Sequence, residues 1–212
     1  MLLEGTRKSD SSAFRIISCG RLLNWKGFDL GLRAFSRVQN DFPNCQYDIV
    51  GDGPERGNLE RLAATLGIAD KVRFLGGLPQ AEVFAQFKES DVLLHPSLHD
   101  SSGWVCVEAM AAGCPVVCLD WAGPGVLVGD DTGIKVSPRN RAAAVRGLAE
   151  ALRRLARDTS LRTTMAAAAV RRVKAHFLSE RKADSLSSLY QAALEENLEL
   201  IPTTASKIFP SW

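Results

Sequence analysis

Asp91-Val92-Leu93-Leu94-His95 runs through Pro96-Ser97-Leu98-His99-Asp100-Ser101-Ser102-Gly103 into Trp104-Val105-Cys106-Val107-Glu108-Ala109-Met110-Ala111-Ala112. Gly113-Cys114 then leads to Pro115-Val116-Val117-Cys118-Leu119. Short apolar, β-branched runs at either end read as buried strands. The middle stretch predicts a helix from about Trp104 to Ala112, stopped at Gly113. Strand, helix, strand in this order is a βαβ unit, whose two strands lie parallel.

The same alternation continues on both sides. Phe14–Cys19, Gln46–Val50, Lys71–Leu75 and Gly133–Val136 read as further strands. Phe28, Leu32, Phe35 and Val38 share one helical face, and Leu59, Leu62 and Leu66 another, closed by Gly67. Pro79 opens a helix carrying Val83, Phe84 and Phe87. The spacing predicts an open parallel sheet of the Rossmann-like α/β class, with helices on both faces. After Val136 the pattern is helical: Arg141–Arg157, Leu161–Phe177 and Glu180–Leu200, followed by a loose tail. No repeat, low-complexity tract or internal linker divides the chain.

With 212 residues, 46% hydrophobic and 24% charged, the chain excludes disordered, collagenous and disulfide-scaffold classes. No apolar run reaches the ~18 residues that span a bilayer, and the first residues lack an apolar signal core. Five cysteines without a C-x-x-C pair predict reduced, mostly buried thiols and a cytoplasmic setting. Net charge is +2, yet residues 139–182 hold twelve basic and three acidic side chains. A solvated face of Arg-rich helices is the preferred reading of that run; an anionic partner such as a membrane surface is the alternative.

Ligands of such sheets bind beyond the carboxyl ends of the strands. Gly20-Arg21-Leu22-Leu23-Asn24-Trp25-Lys26-Gly27 follows the first strand there. Two glycines bracketing two cations before a helix suit a phosphate or diphosphate. Gly51-Asp52-Gly53-Pro54 has the wrong spacing for a dinucleotide fingerprint and reads as a tight turn capping the next helix. Glu108 is a carboxylate in an apolar helix and needs a partner. A ribose diol is one candidate for it, a structural Arg or Lys the other. Amides at Ser101–Trp104 form a second anion-binding helix start. His95, His99 and Asp100 do not read as a metal site, because Pro96 interrupts any shared face. No G-x-S-x-G elbow and no Asp-x-Asp nucleotide clamp occurs, so the expected metal set is none.

In order and spacing these pieces resemble the donor-binding half of a retaining GT-B glycosyltransferase of family 4. The resemblance covers about Phe14 to Pro138. It rests on Gly20-Arg21…Lys26-Gly27, Val50-Gly51-Asp52-Gly53-Pro54, Val72-Arg73-Phe74-Leu75-Gly76, and an E-x7-E region ending Glu108-Ala109-Met110-Ala111-Ala112-Gly113. It implies that Arg21 and Lys26 hold the donor diphosphate, with Gly20 beside them. It implies ribose contacts from Glu108 and sugar contacts from Asp100, which stands where the family usually has Glu. Ser102, Gly103 and Trp104 would meet the phosphates; Phe74, Leu75 and Gly76 would border the nucleobase.

The resemblance further implies residues 1–13 as linker-like, 14–178 as the nucleotide-sugar-binding domain, and 179–212 as C-terminal helix and tail. The acceptor-binding N-terminal half is absent, which predicts a catalytically incomplete chain. No cofactor and no nucleic acid are expected; the donor is a nucleoside-diphosphate sugar, used without a metal. A glycan or peripheral membrane acceptor would be reached through the missing half. The alternative is a stand-alone nucleotide-sugar-binding module without activity. A sugar-nucleotide epimerase and a Rossmann oxidoreductase fit less well.

Overall fold

The computed structural model describes residues 13–177. The expected Glu180–Leu200 helix, the tail and the linker-like start lie outside these residues, save for Ala13. Two units divide the chain, Met1–Val170 and Arg171–Trp212; the sheet and all of the site belong to the first.

Six strands form one parallel sheet: β1 Arg15–Cys19, β2 Gln46–Val50, β3 Val72–Gly76, β4 Val92–His95, β5 Val116–Leu119 and β6 Gly133–Val136. Their order is β3-β2-β1-β4-β5-β6. The helices are α1 Phe28–Ser36, α2 Arg56–Thr65, α3 Gln80–Glu89, α4 Trp104–Ala111, α5 Ala122–Leu127, α6 Arg141–Arg157 and α7 Thr159–His176. The expected Rossmann-like α/β architecture is therefore present.

Burial follows position in the sheet. All four residues of β4 and all four of β5 are buried, whereas the edge strands β3 and β6 keep partly exposed positions. Apolar runs without alternation are what central parallel strands require, since helices cover both faces. Helix α1 buries Phe28, Leu30, Leu32 and Phe35; α6 buries Val145, Leu148, Leu152 and Leu155 in the same core cluster. At the amino edge, buried Asp91 accepts the Arg15 amide at 2.8 Å and faces Arg162 Nε at 3.1 Å. On β2, buried Asp48 takes both nitrogens of the Arg73 fork at 2.6 Å, from the register position opposite. These two pairs satisfy the strand carboxylates that burial would otherwise penalise.

Helix α5 is the element not predicted. Gly123, Pro124 and Gly125 make its six residues read as a loop. It begins at Ala122, whose φ of 49° is the one positive value among described non-glycine residues. An L-residue pays roughly 1–2 kcal/mol there, of which ~0.5–1 returns as lost glycine entropy on substitution. Ala122→Gly is expected to raise stability by up to ~1 kcal/mol in urea denaturation; a loss would mean that the Ala122 methyl group packs productively.

Candidate functional site

The strand order reverses between β1 and β4, and the crevice opens at their carboxyl ends. Gly20–Gly27 follows β1, with a single 3-10 turn at Asn24–Lys26. Gly27 ends that turn at φ 66° and opens α1. A Cβ at Gly27 would stand 2.1 Å from the Pro96 carbonyl oxygen, so only glycine lets the two loops touch. Leu98 N donates to Trp25 O at 2.9 Å across the same contact.

The contact brings Lys26 to Asp100. Lys26 Nζ donates to Asp100 Oδ2 at 2.7 Å. Asp100 Oδ1 accepts the Gly103 amide at 2.8 Å. His95 Nε2 lies 3.1 Å from Oδ2, off the axis of a regular hydrogen bond. The His95 ring, then Lys26 and the Gly103 amide, outweigh the opposing desolvation and hold the Asp100 carboxyl well below the usual carboxylate range. Asp100 is therefore ionised throughout the neutral range.

The Arg21 side chain is exposed and makes no hydrogen bond or ion pair among the described residues. Glu108 is half-buried and likewise unpaired, so the Arg or Lys partner considered for it is not found among them. Burial, with the Glu108 carboxylate as second cause, pushes the Cys19 thiol up to about 11. Glu108 lies on α4, which follows β4, the sheet neighbour of β1. The loop after β1 thus carries an unpaired cation and a held one, and α4 carries an unpaired carboxylate.

Other predicted positions fall differently. Gly103, at φ 57°, caps α4 and gives its amide to Asp100 rather than leaving it open. Ser102 and Trp104 are exposed beside it. Gly20 sits at φ 150° with its amide on Val50 O at 3.0 Å. Phe74 packs against the core, and its carbonyl accepts Arg56 Nη2 at 3.2 Å; Leu75 is half-buried. Gly51-Asp52-Gly53-Pro54 does form a turn. It also ties to the first loop, through Leu22 N to Asp52 O at 2.9 Å and Glu55 N to Leu22 O at 3.1 Å. His95 is the residue that sequence reasoning set aside. Its signal was present in His95-Pro96, a polar ring at the end of an apolar strand. A separate cavity of about 300 Å³ lies between Leu23, Phe28, Leu59, Leu98 and Arg141. None of Arg21, Lys26, Asp100 or Glu108 lines it. Among the described residues no three His, Cys, Asp or Glu side chains assemble into a metal set, and no helix is long and apolar enough to cross a membrane.

Residues 6–172 match the family described as Glycosyl transferases group 1. The chain belongs to the glycosyl transferases group 1 family. It is 31% identical over 184 residues to the lipopolysaccharide core biosynthesis glycosyltransferase LpsD of Rhizobium meliloti, covering 86% of this chain and 51% of that protein. The 2-deoxystreptamine glucosyltransferase of Streptomyces kanamyceticus is 37% identical over 141 residues, covering 66% and 35%. The chain thus spans about half or less of these relatives' lengths. Among solved structures, Anabaena HepE in complex with UDP and glucose superposes at TM-score 0.73 with 26% identity, covering 84% of this chain and 49% of that one. The C-terminal domain of the group 1 protein LpcC from Francisella tularensis shares the fold at TM-score 0.69, covering 78% and 87%.

Asp100 gives the group 1 site a pH signature. A carboxylate with a depressed folded pKa stabilises the fold fully above its unfolded value of ~3.9 and loses that contribution as pH falls further. Asp100→Asn is expected to cost roughly 1.5–3 kcal/mol at pH 7, with the gap to wild type narrowing below about pH 4. Urea titrations at pH 7 and pH 3 check it; an equal gap at both would mean that charge is not the cause.

Proposed function

We propose that this chain is the donor-binding, C-terminal half of a retaining GT-B glycosyltransferase of family 4. In the full enzyme it would take a nucleoside-diphosphate sugar and transfer the sugar to an acceptor held by an N-terminal half. The observation that carries the reading is the set of charges after β1 and β4: the Arg21 side chain unpaired, Lys26 held at 2.7 Å from Asp100, and the Glu108 carboxylate unpaired on α4. HepE, which superposes over 84% of this chain, was solved with UDP and glucose.

In this reading Arg21 and Lys26 receive the diphosphate, with Gly20 beside them. The bond from the anomeric carbon to the phosphate oxygen breaks, and the nucleoside diphosphate leaves with its electron pair. Two cations at that oxygen neutralise the charge as it develops. Because side-chain cations supply this neutralisation, no metal is required. The acceptor hydroxyl forms the new bond to the anomeric carbon and passes its proton to the departing phosphate oxygen. Glu108 accepts the ribose hydroxyls. Asp100 fixes Lys26 and borders the donor sugar; the Ser102–Trp104 turn lies at the phosphates. Phe74 offers backbone rather than its ring to the base, and Leu75 completes that edge. Residues 14–178 would be the donor domain, 1–13 its link to an N-terminal half, and 179–212 would follow it. Retention of configuration comes with the family 4 resemblance. A lipid-linked or glycan acceptor would bring the full enzyme to the membrane periphery from the cytoplasm.

Calorimetry with UDP, with and without chelator, tests the donor site. Equal binding in both is expected, and a strict Mg²⁺ requirement would contradict it. Glu108→Gln and Arg21→Ala should each weaken UDP by roughly 10- to 100-fold with melting temperature kept, as loss of a charged hydrogen bond implies. Unchanged affinity with a collapsed melting point would make Glu108 a structural acid.

Turnover of labelled donor separates half from whole. Positioning and water exclusion supply about 7–11 kcal/mol of barrier reduction in such clefts. This chain alone is therefore expected to hydrolyse donor slowly and transfer little, beside the same chain joined to an acceptor half. Equal turnover by both would sink the half-enzyme reading.

A further inference from the structure

His95 is the crevice residue that the proposed function leaves without a task. It ends β4 and is 5% exposed. Its Nε2 is buried without a hydrogen-bond partner, yet lies 3.1 Å from Asp100 Oδ2. A buried ring nitrogen left in this state is costly and calls for a reason. The same oxygen takes Lys26 Nζ at 2.7 Å.

Resting on the reading of Lys26 as a diphosphate cation, we propose that His95 is a positioning residue that aims Lys26 through Asp100. The three neighbours of that carboxylate differ in stiffness. Gly103 contributes a backbone amide, held at the start of α4. His95 contributes a ring at the end of a fully buried central strand. Lys26 contributes a flexible four-carbon chain, with many rotamers to lose. The Gly103 amide fixes Oδ1, the His95 ring stands against Oδ2, and the carboxylate between them then holds the flexible amine. Without the ring, Oδ2 is free to swing about χ2 and Lys26 loses its anchor, although neither residue has changed. The chemistry served is recognition of a diphosphate by a pre-aimed ammonium group, which lowers the ordering cost at binding.

Three variants separate positioning from packing. His95→Leu keeps the volume and removes the nitrogen. His95→Gln carries an amide donor to nearly the place of Nε2. His95→Asn is polar but too short, and stands in if the leucine variant does not fold. In ligand-free protein carrying ¹³C-labelled lysine, the Lys26 ¹³Cε resonance is expected to move toward that of a free lysine in the Leu and Asn variants. It should return in His95→Gln. UDP affinity should fall roughly tenfold in the same two variants and recover in Gln. In an Asp100→Asn background, His95→Leu should change affinity by less than about twofold, the mark of two residues acting as one. A Lys26 resonance unmoved in folded His95→Leu, or an equal affinity loss in the Asn background, would overturn the proposal. If wild-type protein binds no UDP, the donor reading fails on its own and the Lys26 resonance still decides the role of His95.

Discussion

The Lys26–Asp100 ion pair bridges the crevice where the sheet changes direction. Lys26 hangs from the loop after β1 and Asp100 from the loop after β4, strands that are neighbours only because the chain crosses over. Their meeting needs backbone contact closer than a side chain allows. Gly27 supplies it against Pro96, and Gly103 supplies the bend that returns its amide to Asp100. Similar contacts join the loops on either side. A Cβ at Gly51 would stand 2.0 Å from Gly20 O, and one at Gly123 would stand 2.6 Å from Ser101 O. The carboxyl edge of the sheet is thus a row of loops in direct main-chain contact, on which charged groups are set at fixed places.

Electrostatics then divides the charges into held and available ones. Asp100 spends its charge on Lys26, the His95 ring and an amide, and so stays ionised. Arg21 and Glu108 carry no such partner among the described residues. An exposed cation without a partner adds nothing to the fold, and a half-buried carboxylate without one is partly desolvated without return. They suit a ligand that presents phosphate at one end and hydroxyls at the other. Elsewhere the strand carboxylates Asp48 and Asp91 are answered by Arg73 and Arg162. The contrast sets the crevice apart from the structural pairs.

All six strands were legible in the sequence to within about a residue at each end, because central parallel strands write themselves as unbroken apolar runs. Helix α6 matched its predicted bounds because one long apolar face and Asn140, whose side chain takes the Ala143 amide, mark it plainly. Helix α5 was hidden, since its Gly-Pro-Gly content obeys tertiary packing and not propensity. That Arg21, Lys26, Asp100 and Glu108 lie after β1 and β4 was legible in the sequence. Which of them pair was not, because pairing depends on left-handed turns at Gly27 and Gly103. The same turns put His95 beside Asp100, a contact that no spacing along the chain announces. Phe74 was assigned to the nucleobase edge from the resemblance, but the pleat of β3 turns its ring to the core.

The proposed function requires that an anion of nucleoside-diphosphate type enter between β1 and β4 at Lys26. Backbone amide shifts of ¹⁵N-labelled protein on titration with UDP test it most directly. The largest changes are expected at Gly20–Gly27 and at Gly103–Trp104, with a smaller trail toward Leu75 and Gly76. Changes confined to the Leu59 and Arg141 side of the separate cavity, or none at saturating UDP, would contradict it.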